Sequence, residues 1–371
     1  MAARGNTIAQ GFSGRVMEWV YEKSVLQSIA NSDYEGEING VGSRLNILDF
    51  DEIEEKDYNN AAMSADDLSE NNGYLEITKK KAFYFKIKDY ENWLSYIKDP
   101  KKAVFPQTAG KRLRNMDIFA LGFYGDVAAG NRVGTDYTIG TVTVAATTGV
   151  VTGSGTTFTS TMVGRGFKAT GHTKWYRVKT FNSVTEIVIE DDKDDITSAY
   201  TGGAINAGAA YTIEAATPKA ITTTNLLEYI AALKTKLDTA EANGHPAVPD
   251  EDRWLVVPAE FENLIVRAQG VALHVPEVYQ NLVGQGMIGT LLGFKIFKSS
   301  RLTGNNTDGY RVLAGHPNWL TFAEKVLKAR VEEDLTGDFG EAYKDLFVYG
   351  AKVKDIRRGF AAEGYFTFTI S

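Results

Sequence analysis

Cysteine is absent from this chain of 371 residues, which excludes disulfides, thiolate nucleophiles and thiolate metal sites together. Stability has to come from packing and from association. Proline is scarce too, with 8 residues against 36 glycines, a balance that suits turns and β-structure and fits neither a collagen-like nor a linker-like chain. There is no cationic excess: a formal net charge of -7 makes any contact with nucleic acid local and weak. No apolar run reaches the length of a bilayer, and the opening MAARGNTIAQGFSGRVMEWV holds arginines without an apolar stretch before a small-residue cleavage site. The expectation is synthesis in the cytoplasm, with no membrane partner.

The groups that catalysis needs are missing in the same way. His172, His245, His274 and His316 lie far apart beside loop-type residues, none in a metal-binding spacing. Neither a P-loop nor a G-x-S-x-G elbow occurs, and Gly110-Lys111 lacks both the upstream glycine and the following hydroxyl. Gly284, Gly286 and Gly289 do stand in the spacing G-x-G-x-x-G. A dinucleotide loop, however, needs a strand before the glycines and a helix after them, so that helix amides face the pyrophosphate. Here helix-like Glu277–Val283 precedes them and strand-like Thr290–Phe297 follows. With Gly293, these glycines read as turn residues feeding a buried strand. No catalytic residue, cofactor or metal site is expected.

What is present is an ordered series of α and β pieces. An N-terminal segment, Val16–Ala30, fits a helix loosely and leads into a glycine-containing arm. Two β-runs follow, Arg44–Phe50 and Tyr74–Lys88, separated by a bend carrying Asp51, Glu52, Glu54, Glu55, Asp57, Asp66, Asp67 and Glu70. The bend is acidic but lacks the D-x-[DN]-x-[DN]-G order of a calcium loop. The second run alternates, with Leu75, Ile77, Phe83, Phe85 and Ile87 on one face and Lys79 and Lys81 interrupting it. As one strand it is too long for a hairpin inside a small domain, so Lys79, Lys80 and Lys81 are expected to meet acidic residues of another copy.

Asp89–Ile97 reads as a short helix, and Gln107–Ala129 as a long one introduced by Pro106 and weakened by Gly122 and Gly125. From Gly130 to Ala215 the chain is rich in Thr, Val and Gly in short alternating runs, the pattern of a small all-β domain inserted between helical segments. Its Trp175, Tyr176, Val178 and Phe181 are read as core rather than as a sugar platform. Thr222, Thr223 and Thr224 cap a helix with a Leu226, Ile230, Leu233, Leu237 stripe. Arg253–Ser300 then forms the heart of an α+β module: a buried strand Arg253–Val257, a helix after Pro258, and a strand Leu291–Phe297. Strands at Tyr310–Leu313, Leu320–Val331, Asp345–Val353 and Tyr365–Ile370 close the chain.

This order, with the runs GYLEITKKKAFYFKIKDYENW, RWLVVPAEFENLI, GMIGTLLGFKIFKSSRL, NWLTFAEKVLKARVEED and VYGAKVKDIRRG, resembles the major capsid proteins of tailed bacteriophages, the Hong Kong 97-type shell fold. The resemblance covers nearly all of the chain outside Gly130–Ala215. That segment, with VTGSGTTFTSTMVGRGFK and KWYRV, resembles small β-domains that recur in phage structural proteins.

The resemblance implies an α+β Hong Kong 97-like capsid fold with five parts. These are an N-terminal arm (1–43), an extended β-hairpin loop (44–88), a peripheral domain with a spine helix (89–129 and 316–371), an inserted all-β domain (130–215) and an axial domain (216–315). It implies a structural protein, not an enzyme, that assembles into hexamers and pentamers of an icosahedral head around double-stranded DNA. Such a protein belongs in the virion capsid and is assembled in the host bacterial cytoplasm. Implied partners are its own copies, a separate scaffolding protein, a portal, a possible decoration protein, and packaged DNA held weakly. Expected intersubunit contacts are Lys79, Lys80, Lys81, Phe83, Phe85, Asp51, Glu52, Glu54 and Glu55, with Gly284, Gly286, Gly289 and Gly293 as turns of the axial domain. Two other readings are a nanocompartment shell of the same fold loaded with a cargo protein, and a carbohydrate-binding phage adhesin built on the β-domain.

Overall fold

The computed structural model describes residues 23–32, 44–50, 55, 70–89, 101–193, 199–268, 287–335 and 338–369. Within them the helices are α1 (Leu26–Ile29), α2 (Lys101–Leu121), α3 (Leu226–Asp238) and α4 (Ala259–Ala268). The expected helix after Asp89 and the helix-like Glu277–Val283 lie outside the described residues, as does the expected N-terminal helix before Lys23.

The apolar run Trp254–Val257 is buried along its whole length, which suits a strand covered on both faces. It pairs in parallel with Phe294–Lys298 and antiparallel with Gly309–Gly315. Around it runs an eight-stranded mixed sheet, six strands of which follow the order 219–221, 361–368, 309–315, 254–257, 294–298, 287–291, while Gly304–Asn305 pairs with Gly309–Gly315 and Arg132–Val133 with Ala361–Phe368. Helix α3 buries Leu226, Ile230, Leu233 and Leu237, the stripe its spacing predicts, and α4 turns Phe261, Leu264 and Ile265 inward. The threonines do not cap α3. Asn225 occupies the N-cap, and its side-chain oxygen accepts instead from the Thr222 backbone N–H at 2.8 Å.

Leu291–Phe297, expected as one strand, is a hairpin. Met287–Leu291 and Phe294–Lys298 run antiparallel, with Leu291 opposite Phe294. The two residues between them, Leu292 and Gly293, have φ of 51° and 88°, the mirror-image turn that matches strand twist. A run apolar apart from Gly293 and Lys295 conceals such a reversal, and Gly293 is its one punctuation mark.

The second body is a ribbon. Leu320–Leu335 and Asp338–Val353 pair antiparallel over 16 residues each, and Lys79–Lys88 adds to the far side of the second strand. Ala30–Asn31 lies parallel to Leu320–Thr321 on the opposite edge. The expected single strand Tyr74–Lys88 is therefore two. Glu70–Glu76 pairs with Arg44–Phe50, and after a break at Ile77–Thr78 the chain joins the ribbon as Lys79–Lys88. The apolar residues on either side of Lys79 and Lys81 keep the same phase, so the period alone does not reveal a change of partner.

Leu75 and Ile77 are buried against Ala323 and Val348, fixing the break to the ribbon. Gly350 makes that crossing possible: a Cβ there would lie 2.5 Å from the Glu76 carbonyl oxygen. Helix α2 lies against the ribbon, with Met116, Ala120 and Leu121 buried. It begins at Lys101 rather than Gln107, so that Pro106 falls inside it, and it ends in a 3₁₀ stretch at Gly122–Asp126, where two glycines weaken the α form. One hydrophobic core runs from the central sheet into the ribbon, taking in Trp254, Trp319, Phe322 and Phe347.

Eight strands between Thr135 and Thr217 form a separate sheet in the order 205–209, 141–144, 150–154, 186–191, 176–183, 166–169, 211–217, 135–137. It has its own core, including Val151, Phe158, Phe167, Val178 and Ile187. The four residues read as core divide: Tyr176 and Val178 are buried and Phe181 packs at the side, whereas Trp175 is half-buried outside the cluster, beside Gly130.

The crossing at Gly350 makes a stability prediction. Gly350→Ala forces the backbone at Glu76–Ile77 away from the ribbon and is expected to destabilise the protein by about 1–3 kcal/mol, the usual range for overpacking. Urea denaturation checks this, and an unchanged midpoint would show that the crossing tolerates a side chain.

Candidate assembly surface and the root of the inserted sheet

The ribbon presents side chains that its own subunit does not use. Phe339, beside the ribbon's turn, is 89% exposed and Tyr84 on the edge strand 63%. Lys80 and Lys81 are exposed and, among the described residues, their side chains make no ion pair or hydrogen bond, although their backbone pairs with Val348 and Phe347. Lys79 is engaged, its ammonium 5.3 Å from the centre of the Phe119 ring. Phe83 stacks on Phe347 at 6.1 Å and Phe85 on Tyr343 at 5.4 Å, so these two rings hold the edge strand to its own ribbon.

Asp345 ties three elements together at this point. It accepts the Phe83 backbone N–H at 3.1 Å and pairs with Arg112 of α2, whose guanidinium lies 3.9 Å over the Phe347 ring. Of the expected acidic partners, Glu55 is exposed, and Asp51, Glu52 and Glu54 lie outside the described residues. Gly284 and Gly286 lie outside them too. Gly289 sits in the strand Met287–Leu291 at an irregular pairing, and Gly293 in the hairpin turn.

A second polar group fixes the start of the described chain. Asp117 of α2 is fully buried; it accepts the Ser24 hydroxyl at 2.6 Å and the Leu26 and Val25 backbone N–H groups, and pairs with Arg301. Burial raises its carboxyl above the ordinary range, against the pull of the Ser24 hydroxyl and Arg301. The carboxylate thus satisfies the otherwise free N–H groups at the start of α1.

The largest polar cluster lies where the inserted sheet meets the central one. Glu363, with no exposed surface, receives Arg165 of the inserted sheet at 2.9 Å, Arg311 of the central sheet at 3.1 Å and Arg132 of the connector at 3.1 Å. Burial alone would raise its carboxyl, but Arg165, Arg132 and Arg311 together hold it below the ordinary range. Beside it Asp192 pairs with Arg358 at 2.7 Å and accepts the Ala129 N–H at 2.6 Å. The Asn131 side chain donates to the Gly359 and Ala361 carbonyls. Glu214 completes the cluster, its Oε2 accepting the Gly130 N–H at 2.8 Å.

None of these contacts has a sequence signal, because their partners come from positions as far apart as 132 and 363. The one available hint was compositional: charged residues such as Glu363 and Glu214 inside β-runs whose other faces are apolar.

The described residues hold no group of three or more His, Asp or Glu placed to bind a metal. His172 bonds the Tyr200 hydroxyl at 2.9 Å, and His316 accepts the Asn318 N–H at 3.2 Å. No helix among the described residues is long and apolar enough to cross a membrane, which says nothing of a β-barrel.

Residues 178–362 match the family model described as phage capsid protein. No curated protein matches the sequence. Among solved structures, the chain is similar to one of Mycobacterium phage Che8, at 19% identity and a TM-score of 0.57, over 99% of this chain and 98% of that one. It is also similar to the capsid of cyanophage P-SCSP1u, at 13% identity and a TM-score of 0.55, over 99% and 94% of the two chains. For the capsid of Ralstonia phage GP4 the values are 10% identity and 0.51, over 100% and 99%. At these identities the likeness is one of fold.

The Glu363 cluster predicts a pH-dependent stability. Its lowered carboxyl contributes stability that is present above the ordinary carboxylate range and is lost as pH falls through the folded-state value. Glu363→Gln leaves the buried Arg132 and Arg165 and the partly buried Arg311 short of their anion, and at neutral pH a loss of about 3–5 kcal/mol is expected. The gap from the natural protein should narrow in acid. Urea titrations at the two pH values measure it, and a gap that does not change with pH would overturn the assignment.

Proposed function

We propose how this chain, a major capsid protein of tailed phages with the Hong Kong 97-like fold, builds its shell. It is a structural shell protein of a phage head, it associates with its own copies, and its place is the virion capsid. The finer reading is that subunits gather as hexamers and pentamers of an icosahedral head around double-stranded DNA. Residues 44–88 act as the extended arm over a neighbour, α2 with the ribbon as the peripheral domain and its spine, 216–315 as the axial domain, and 130–215 as an insertion.

The observation that carries this reading is the ribbon edge. A cationic stretch with Lys80 and Lys81 unpaired stands beside exposed Tyr84, in a chain whose acidic residues crowd at Asp51, Glu52, Glu54 and Glu55. A surface of this kind is complementary to the acidic bend of a second copy. Charges of this sort give register, while apolar contacts repeated around symmetry axes give energy. Phe83 and Phe85 support the cationic edge from behind, and Gly284, Gly286, Gly289 and Gly293 allow the turns of the axial domain.

Assembly of this kind calls for no covalent chemistry, and the chain is read as having no enzymatic role. A separate scaffolding protein, a portal and a decoration protein are the expected partners, with assembly in the bacterial cytoplasm. The net negative charge suits an inner wall that holds packaged DNA weakly.

Electron microscopy of the expressed protein tests the reading, with closed shells expected and a strictly monomeric protein overturning it. Lys80→Glu with Lys81→Glu is expected to raise the concentration needed for assembly at low salt by about tenfold, since each exposed pair contributes up to about 1 kcal/mol. Added salt should shrink the difference. If the double variant assembles like the natural protein at every salt concentration, Lys80 and Lys81 are not the register contact.

A further inference from the structure

The chain enters the inserted sheet through Gly130–Gly134, where Arg132–Val133 pairs with Glu363–Gly364 of the central sheet, and leaves it at the end of the strand Tyr211–Thr217, and Glu214 stands between these two crossings. Its Oε2 accepts the N–H of Gly130 at 2.8 Å, and its own backbone belongs to the strand Tyr211–Thr217 of the inserted sheet. The neighbouring residue, Ala215, has φ of 46°, a left-handed conformation that is strained for any residue but glycine. Ala215 falls at the irregular pairing of this strand with Thr135–Tyr137, its N–H donating to the Asp136 side chain at 2.9 Å, so the strained position lies at the root, next to the buried carboxyl.

The carboxyl itself is poorly served. Oε1 accepts no hydrogen bond among the described residues, and the nearest cation, Arg132, is 3.6 Å away. Arg132 is committed elsewhere: Nη1 donates to the Gly164 carbonyl at 2.6 Å, Nη2 to those of Gly125 and Val127, and Nε faces Glu363. The other charges facing Glu214 are Lys236 of α3, which donates to the Gly130 carbonyl at 2.7 Å, and Asp192, which is held by Arg358 and the Ala129 N–H. A buried anion with one hydrogen bond, and with its nearest cation engaged elsewhere, favours either a proton or water.

We propose that Glu214 is a proton-operated latch at the root of the inserted sheet: protonated, it holds the root closed on the central sheet, and ionised, it favours a hydrated, looser root while both sheets stay folded. Burial raises the carboxyl to about 7, against the pull of Arg132, the Gly130 N–H and Lys236. A raised value means that the closed form binds the proton more tightly than the open one. Closure is therefore strongest in acid and weakens as pH rises from the ordinary carboxylate range to about 7, above which it is constant. Glu363 works in the opposite sense, keeping its charge and its three arginines throughout this window.

Hydrogen exchange of the full-length protein, corrected for intrinsic rates, reads the latch at amides 130–134 and 215–217. Between about pH 5.5 and about pH 8 the protection of these amides should fall by about tenfold or more, since one proton gives at most about tenfold per pH unit. Strand Glu186–Asp191, in the middle of the inserted sheet, should keep its protection. Glu214→Gln keeps the Gly130 hydrogen bond without a titratable group and should hold the root closed at both pH values. Lys236→Met removes a facing cation and should move the transition to higher pH. Protection of the root that is independent of pH in the natural protein, or a Lys236→Met transition that does not move, would overturn the proposal, even if Glu214→Gln failed to fold.

Discussion

A single carboxylate with no exposed surface holds three parts of this molecule in register. Glu363 sits in the strand Ala361–Phe368, and the arginines it collects come from the inserted sheet, the connector and the central sheet. Buried ion pairs are weak sources of net stability, because desolvation offsets their attraction. They are strong sources of geometry, since a buried charge without its partner is intolerable. The orientation of an eight-stranded sheet on its subunit therefore follows from where four charged side chains meet. Asp117 plays the same part at the other end of the core, where it ties Ser24, Val25 and Leu26 to α2 and Arg301.

Apolar burial does the rest. The core that starts at Trp254 and continues through Trp319 and Phe322 makes the central sheet and the root of the ribbon one body. The ribbon's two 16-residue strands bury Phe322, Phe347 and Val348 near that root, while Val326, Val331 and Phe339 are more than half exposed. A lone subunit gains little from such a structure. A shell subunit, which associates with its own copies, can use such an extension, and lysines on an edge strand such as Lys79–Lys88 disfavour unspecific edge-to-edge pairing.

The sequence was legible where a pattern had one interpretation. The α3 stripe, the buried Trp254–Val257 and the inward Phe261, Leu264 and Ile265 all lie where periodicity puts them. Reading failed where one pattern served two partners. Tyr74–Lys88 keeps its apolar residues on one face on either side of Lys79 and Lys81, yet Ile77–Thr78 divides it between two sheets. Leu291–Phe297 is apolar apart from Gly293 and Lys295, yet it reverses at Leu292–Gly293. Pro106 looked like a helix start and lies inside α2 because the residues before it also take helical form.

Taken alone, the amino-acid sequence determined the class of the protein: no thiol chemistry, no histidine or glycine motif of an enzyme, an α+β order of pieces, an all-β insertion, and one cationic and one acidic run. Those are local properties, carried by composition and by periods of 2 and 3.6 residues. Only the tertiary structure decided which strands share a sheet, that Gly350 admits the crossing of Leu75 and Ile77, and that Arg132, Arg165 and Arg311 converge on Glu363 while Glu214 is left with one hydrogen bond. Pairing and burial depend on residues a hundred or more positions apart, and no local period carries that information.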